Sequence, residues 1–224
     1  MNVESDRLSN LSDDLIHKIL SYIDTKQAIK TSILSSRWKN TWKSIPHLVF
    51  SSHDHNSILE FSESVNRVLL SRNHEIDLSY VKLSFYEKVS QAFLKTVMNY
   101  SFLHNVQKMT IICSHNERHR EFPLSLFSSQ SLKDLTLIGL HFYIKITSSW
   151  DLLALATLHL ESVFVPEENA IKFGGLFSKC PNLKSLSLTT CRVDGRNGFT
   201  ISHSNLSNLT LKNGGIIAKM PIPM

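Results

Sequence analysis

The 224-residue sequence predicts an α+β fold: an N-terminal three-helix module followed by a short α/β solenoid whose parallel strands line a concave face. Three observations carry this. Apolar residues recur at helical spacing near the N-terminus. A leucine pattern returns every 23–28 residues from residue 78 onward, and segments able to form a helix lie between several of its copies. Hydrophobic residues make up 42% and charged residues 19%, a balance that supports a packed core and excludes a disordered chain.

In the first helix, Leu15, Ile16, Ile19, Leu20 and Ile23 occupy one apolar face. Ser12 stands ahead of Asp13 and Asp14, supplying a hydroxyl cap and two carboxylates for the positive helix end. Asp24-Thr25 breaks the pattern, and Thr25 is placed to cap a second helix carrying Ala28, Ile29, Ile33 and Leu34. Ser35 or Ser36 restarts a third helix, which bears Trp38 and Trp42 and ends before Pro46. In so small a bundle, two tryptophans four apart are most simply its core, since each buries roughly 150–250 Å². The rival reading is a nucleic-acid surface. It needs basic residues on the tryptophan side, whereas Arg37, Lys39 and Lys43 lie around the helix.

The stretch "DRLSNLSDDLIHKILSYIDTKQAIKTSILSSRWKNTWKSIPHLVF" resembles the F-box of plant F-box/leucine-rich-repeat proteins, matching D-R-L-S-x-L, I-L-S, T-K-x-A and S-x-R-W followed by a second W. The resemblance implies docking onto a Skp-family adaptor, and through it onto a cullin-based ubiquitin ligase. Carried over by position, the adaptor-facing residues are Leu11, Ser12, Leu15, Ile19 and Leu20, joined by Ile29, Ile33 and Leu34 from the second helix. Trp38 and Trp42 would hold the bundle together. The family's Leu-Pro is Leu11-Ser12 here. Loss of the ring is worth about 1.5 kcal/mol, roughly tenfold in affinity, partly offset by Ser12 as a cap.

Beyond the module, "LKSLSLTTC" at 183–191 fits L-x-x-L-x-L-x-x-C, with relatives starting at Leu132, Leu155 and Leu206 and weaker copies at Leu78 and Val106. The starts lie 28, 26, 23, 28 and 23 residues apart, the spacing of leucine-rich repeats. The first, fourth and sixth positions point into a stacked core, because no single copy can bury its own leucines. Helices are expected at 57–72, with Phe61, Val65, Val68 and Leu69 inward, and at 90–103 and 170–180 on the convex side. "FPLSLFSSQSLKDLTLIGL" and "LFSKCPNLKSLSLTTC" also resemble the repeats of the same plant family.

The concave rows are then Tyr80, Lys82 and Ser84; Lys108, Thr110 and Ile112; Asp134, Thr136 and Ile138; Thr157, His159 and Glu161; Ser185, Ser187 and Thr189; and Asn208, Thr210 and Lys212. Small polar residues predominate, which suits a protein or peptide target better than a polyanion; the bland alternative is a merely solvated face. Family members choose the protein to be ubiquitinated with this surface. The expected division is adaptor module 1–48, linking helix 49–75, repeats 76–214 and a tail, 215–224. Many relatives continue into a further C-terminal domain, whereas this sequence stops at "NGGIIAKMPIPM", a thin apolar cap for which fraying is expected.

Other functions find little support. The net charge of +5 is spread along the chain, there is no signal-like or membrane-length apolar run, and Cys113, Cys180 and Cys191 show no metal-site or disulfide spacing. The cytoplasm or nucleus is therefore expected. "HNERH" at 115–119 puts glutamate between its histidines, unlike H-E-x-x-H, and "HDH" at 53–55 lacks partner ligands. No nucleophile elbow or phosphate-binding glycine loop occurs, and Cys191 falls at a buried repeat position. Asn10, Asn99, Asn205 and Asn208 begin N-x-[ST] sequons, which would suit a secreted receptor fragment, but Asn208 belongs to a strand. The reading is a non-catalytic substrate-recognition subunit of an SCF-type ligase, needing no cofactor and no metal. Its alternative is a degenerate or regulatory binding fragment with weak ligase coupling.

Overall fold

Alternation of apolar and polar residues, returning every 23–28 residues, favours strands that stack side by side, and the chain does so. The computed structural model describes residues 8, 10–114, 120–121, 128–143, 151–193, 199–201, 203–213 and 218–219. Helices α1 (Asp13–Leu20), α2 (Thr25–Lys30) and α3 (Trp38–Thr41) come first, with 3₁₀ turns at Thr31–Ile33 and Trp42–Ser44. Strand β1 (His47–Ser51) and helix α4 (Ile58–Ser71) lead into β2 (Tyr80–Phe85), α5 (Gln91–Leu103) and β3 (Lys108–Cys113). The short β4 (Arg120–Glu121) precedes β5 (Asp134–Tyr143), β6 (Thr157–Val165) and α6 (Glu167–Phe177). Strands β7 (Ser185–Thr189), β8 (Arg192–Val193), β9 (Phe199–Thr200), β10 (Asn208–Lys212) and β11 (Ala218–Lys219) follow.

Seven strands form the main path of one sheet in the order β1-β2-β3-β5-β6-β7-β10, every neighbouring pair parallel. Each strand's successor along the path is the next copy in sequence, as repeated units stacking on their neighbours require. The leucine positions make the core: Leu132, Leu135, Leu137, Leu155, Leu158, Leu160, Leu183, Leu186 and Leu188 are all buried. Helices α4, α5 and α6 cover that side. Phe61, Val65, Val68 and Leu69 of α4 point inward as expected, and Phe61 meets Phe93 of α5 edge-on with centroids 5.7 Å apart. Ser57 and Ser90 cap α4 and α5 by accepting the Glu60 and Phe93 amides.

The eighth position of three copies shares a geometry. Ser162, Thr190 and Asn213 all sit there with φ of 56°, 50° and 50°. At Thr190 and Asn213 the left-handed residue turns the chain out of β7 and β10, whereas Ser162 lies within β6, where the pairing with β5 shifts register. Ser162 and Thr190 also join their hydroxyls at 2.9 Å across neighbouring copies.

The last copy departs from the expectation. Leu206 and Leu209 are only partly buried and Leu211 is 42% exposed. Among the described residues β10 ends the path, so its leucines have a paired strand on one side alone.

Several local expectations need correction. Asp24, not Thr25, caps α2, its carboxylate accepting the Gln27 amide at 2.7 Å. Thr25 is buried instead and accepts the Val49 amide at 2.8 Å. Neither Ser35 nor Ser36 caps α3, which starts after Arg37 with no side-chain cap. The second helix ends at Lys30, so Ile33 and Leu34 lie in and after the 3₁₀ turn. Strand β1 spans residue 48 and pairs His47 with Tyr80 and Ser51 with Ser84. The "HNERH" segment, the sequence between Gly214 and Ile217 and the final five residues lie outside the described residues.

Candidate functional site

Two surfaces carry the sequence-selected residues. In the helical module, Ser12 accepts the Leu15 amide at 3.4 Å with φ −66°, and Asp13 and Asp14 occupy the first turn. Trp38 and Trp42 are buried, and the Trp38 indole donates to the Leu8 carbonyl at 3.2 Å. The tryptophans are thus core and unavailable for base stacking. Arg37 reaches Asp13 at 2.6 Å, an exposed pair that contributes little to stability.

The apolar stripe of α1 splits into two rows. Ile16 and Leu20 are wholly buried, whereas Leu15 and Ile19 are 52% and 41% exposed. Leu20 therefore does not belong to the outward set: it packs inside, and its carbonyl meets the His47 ring at 3.1 Å. Ile33 is 88% exposed and Leu34 44%, while Leu11 and Ile29 are half-buried against the core and Ser12 is exposed. Of thirteen exposed large hydrophobics among the described residues, six lie within residues 8–34: Leu8, Leu15, Ile19, Tyr22, Ile33 and Leu34. Exposed apolar side chains are thus concentrated in the helical module among the described residues. Leu8 and Tyr22 were missed from sequence; helical spacing from Leu15 and Ile19 reaches Tyr22 and could have found it.

The second surface is the sheet face turned away from α4, α5 and α6. Register assembles its rows as expected. Tyr80, Lys108, Asp134, Thr157, Ser185 and Asn208 stand side by side across six strands. Lys82, Thr110, Thr136, His159, Ser187 and Thr210 form the next row. Thr110 and Ser84 are exceptions to open access, being only 9% and 6% exposed. His159 and Glu161 approach to 3.3 Å, and the Lys108 ammonium lies 5.6 Å above the Tyr80 ring centroid. Strand β1 adds His47 and Val49 to these rows at the module's edge, which the repeat pattern had not indicated.

The buried groups give little chemistry. Burial pushes the Cys180 and Cys191 thiols up to about 11, and Cys191 donates to the Leu160 carbonyl at 3.4 Å. Among the described residues no three His, Cys, Asp or Glu side chains gather to hold a metal ion, and no helix is long and apolar enough to cross a membrane.

Comparison with known proteins adds the family. Residues 8–50 match the F-box domain, and residues 94–219 match the LRR repeats of the FBD-associated F-box protein At5g56370. The chain is 34% identical over 185 residues to the FBD-associated F-box protein At3g52670 of Arabidopsis thaliana, covering 82% of this chain and 43% of that protein. It is 31% identical over 214 residues to the F-box/FBD/LRR-repeat protein At4g00160 of the same plant, covering 93% and 46% respectively. The chain spans about half the length of the curated relatives it matches. No solved structure matches it. The chain belongs to the F-box/FBD/LRR-repeat family.

Proposed function

We propose that the chain is a substrate-recognition subunit of an SCF-type ubiquitin ligase. Its helical module binds a Skp-family adaptor, and through it a cullin. Its repeats curve as a solenoid whose concave rows hold a target protein. It contributes no catalytic residue or cofactor, because ubiquitin transfer belongs to other subunits, and it works in the cytoplasm or nucleus. The supporting observation is the outward apolar set Leu15, Ile19, Ile33 and Leu34 on the F-box module of a chain whose other apolar residues are mostly buried. Apolar anchors presented on short helices are the currency of helix-mediated docking.

The test is co-purification with a Skp-family adaptor, using wild type, Ser12→Pro and the pair Leu15→Glu with Ile33→Glu. Wild type should bind, and the charged pair should lose binding while keeping its circular dichroism. Ser12 already has φ −66°, which proline accepts, so the ring should add about tenfold in affinity. Absence of binding by both wild type and Ser12→Pro would reject the reading.

A further inference from the structure

Where the helical module meets the sheet, a cleft of about 420 Å³ opens between the turn after α1 and the first strands. Tyr22, Ile23, Pro46, Val49 and Tyr80 give it largely apolar walls, with His47, Ser79 and Asp24 also on its lining. Its size falls in the range that accepts a ligand side chain or small molecule. Tyr80 and Val49 belong to the open-face rows, so the cleft is continuous with the surface already described.

The charges around it are arranged by the fold. The Lys18 ammonium lies 5.1 Å above the Tyr22 ring, and that of Lys108 lies 5.6 Å above the Tyr80 ring. Lys82 stands beside Val49 in register. Asp24 and Asp134 oppose them. Asp24 is engaged at 2.7 Å with the Gln27 amide at the start of α2, and Asp134 stands beside Lys108, one strand further from the cleft. His47 is buried behind the cleft with its ring at the Leu20 carbonyl, and burial holds its pKa below the ordinary value, so it adds no charge near neutrality. An ammonium over an aromatic face is attracted to it yet keeps its outward N–H donors free.

We propose that this cleft is the anchor point for the target: it takes one apolar side chain of an acidic peptide segment, whose flanking carboxylates pair with Lys82 and Lys108. This rests on the reading of the open face as the target surface and specifies the chemistry bound there. Apolar walls supply affinity by burial, and Lys82 and Lys108 on the strands beside the cleft select sign and speed encounter. A target seated here lies beside α1, at the border of the adaptor module.

The probe is a fluorescein-labelled peptide with a Leu-Trp pair flanked by glutamates, beside a twin carrying glutamine at every glutamate. Both are titrated by anisotropy into the full chain co-purified with its adaptor. The acidic peptide should bind at least about tenfold more tightly than its twin, a gap of about 1.4 kcal/mol, and 0.5 M salt should close most of that gap. Lys82→Glu with Lys108→Glu should abolish the preference, and the milder Lys82→Gln with Lys108→Gln should weaken it, each with adaptor retention unchanged. Equal binding of the two peptides, or indifference to both lysine pairs, overturns the proposal, as does loss of the adaptor with the charge reversals. A parallel variant, Thr136→Arg with Ser187→Arg, separates the underlying reading. Peptide binding lost there but kept in the lysine variants leaves the open face as target surface and removes the cleft. Indifference to all three variants removes both.

Discussion

Leucine at the sixth position of a copy looks the same in sequence wherever it occurs, yet the fold gives it unequal weight. Leu188 is wholly buried between copies, whereas Leu211 at the end of the path is 42% exposed. Replacing Leu188 by alanine removes three buried carbons, a transfer loss of about 2.4 kcal/mol, and leaves a cavity between stacked strands, for a total of about 3–4 kcal/mol. At Leu211 rather more than half the transfer loss survives and no enclosed cavity forms, so about 1.4 kcal/mol is expected. Urea unfolding of the full chain, followed by tryptophan fluorescence and circular dichroism, measures both. With a slope of about 2.5 kcal/mol/M, Leu188→Ala should lower the midpoint by about 1.4 M and Leu211→Ala by about 0.6 M. Equal shifts would refute the argument that stacking on both sides, and not the leucine pattern itself, sets the stability of a copy.

Burial, and then the charge of Arg72, hold His47 below its ordinary value of 6.5. The folded state thus favours the neutral ring. Its contribution is complete above about pH 6.5 and is lost as pH falls, because the unfolded chain takes up the proton first. His47→Gln should flatten the acid limb of the stability profile between pH 6.5 and 5, measured by thermal unfolding. The thiols behave oppositely. With Cys180 and Cys191 raised to about 11, their contribution is intact below the ordinary thiol value and disappears between there and pH 11. Iodoacetamide at pH 8 should accordingly label Cys113, Cys180 and Cys191, all buried, only after denaturant is added, as read by mass spectrometry. Thr190 is a β-branched residue at φ 50°, a conformation asparagine tolerates better. Thr190→Asn relieves up to about 1 kcal/mol of backbone strain but gives up the hydroxyl bond to Ser162, worth about as much, so it should leave stability within about 0.5 kcal/mol of wild type in the same urea assay.

The repeats were legible because their physics is local. An alternation of period two, returning every 23–28 residues, favours strands placed side by side, and the register of Tyr80 with Lys108 and Asp134 follows from it. The module was legible only in outline. A stripe containing both Leu15 and Ile16, and both Ile19 and Leu20, is wider than the core it feeds, and nothing within α1 decides which row turns inward. The decision comes from α3, β1 and the tryptophans, and it sends Leu20 inside. Strand β1 was invisible for a related reason. "HLVFS" lacks the leucine pattern, and its partner at Tyr80 lies 33 residues away, beyond any local signal. The capping of α2 turned on competition between neighbours: both Asp24 and Thr25 can cap, and Thr25 was claimed by the Val49 amide.

The pairing of β1 with β2 makes the first strand of the sheet a continuation of the F-box module. Position along the sheet is then a measure of distance from that module, counted in strands. Neighbouring strands lie about 4.8 Å apart, so the six steps from β1 to β10 place the far row roughly 29 Å away along the sheet. A copy gained or lost between Leu78 and Leu206 would shift every later row by one such step and leave both ends chemically intact. Reach and recognition can then change independently, one through the number of copies and the other through the residues in each row.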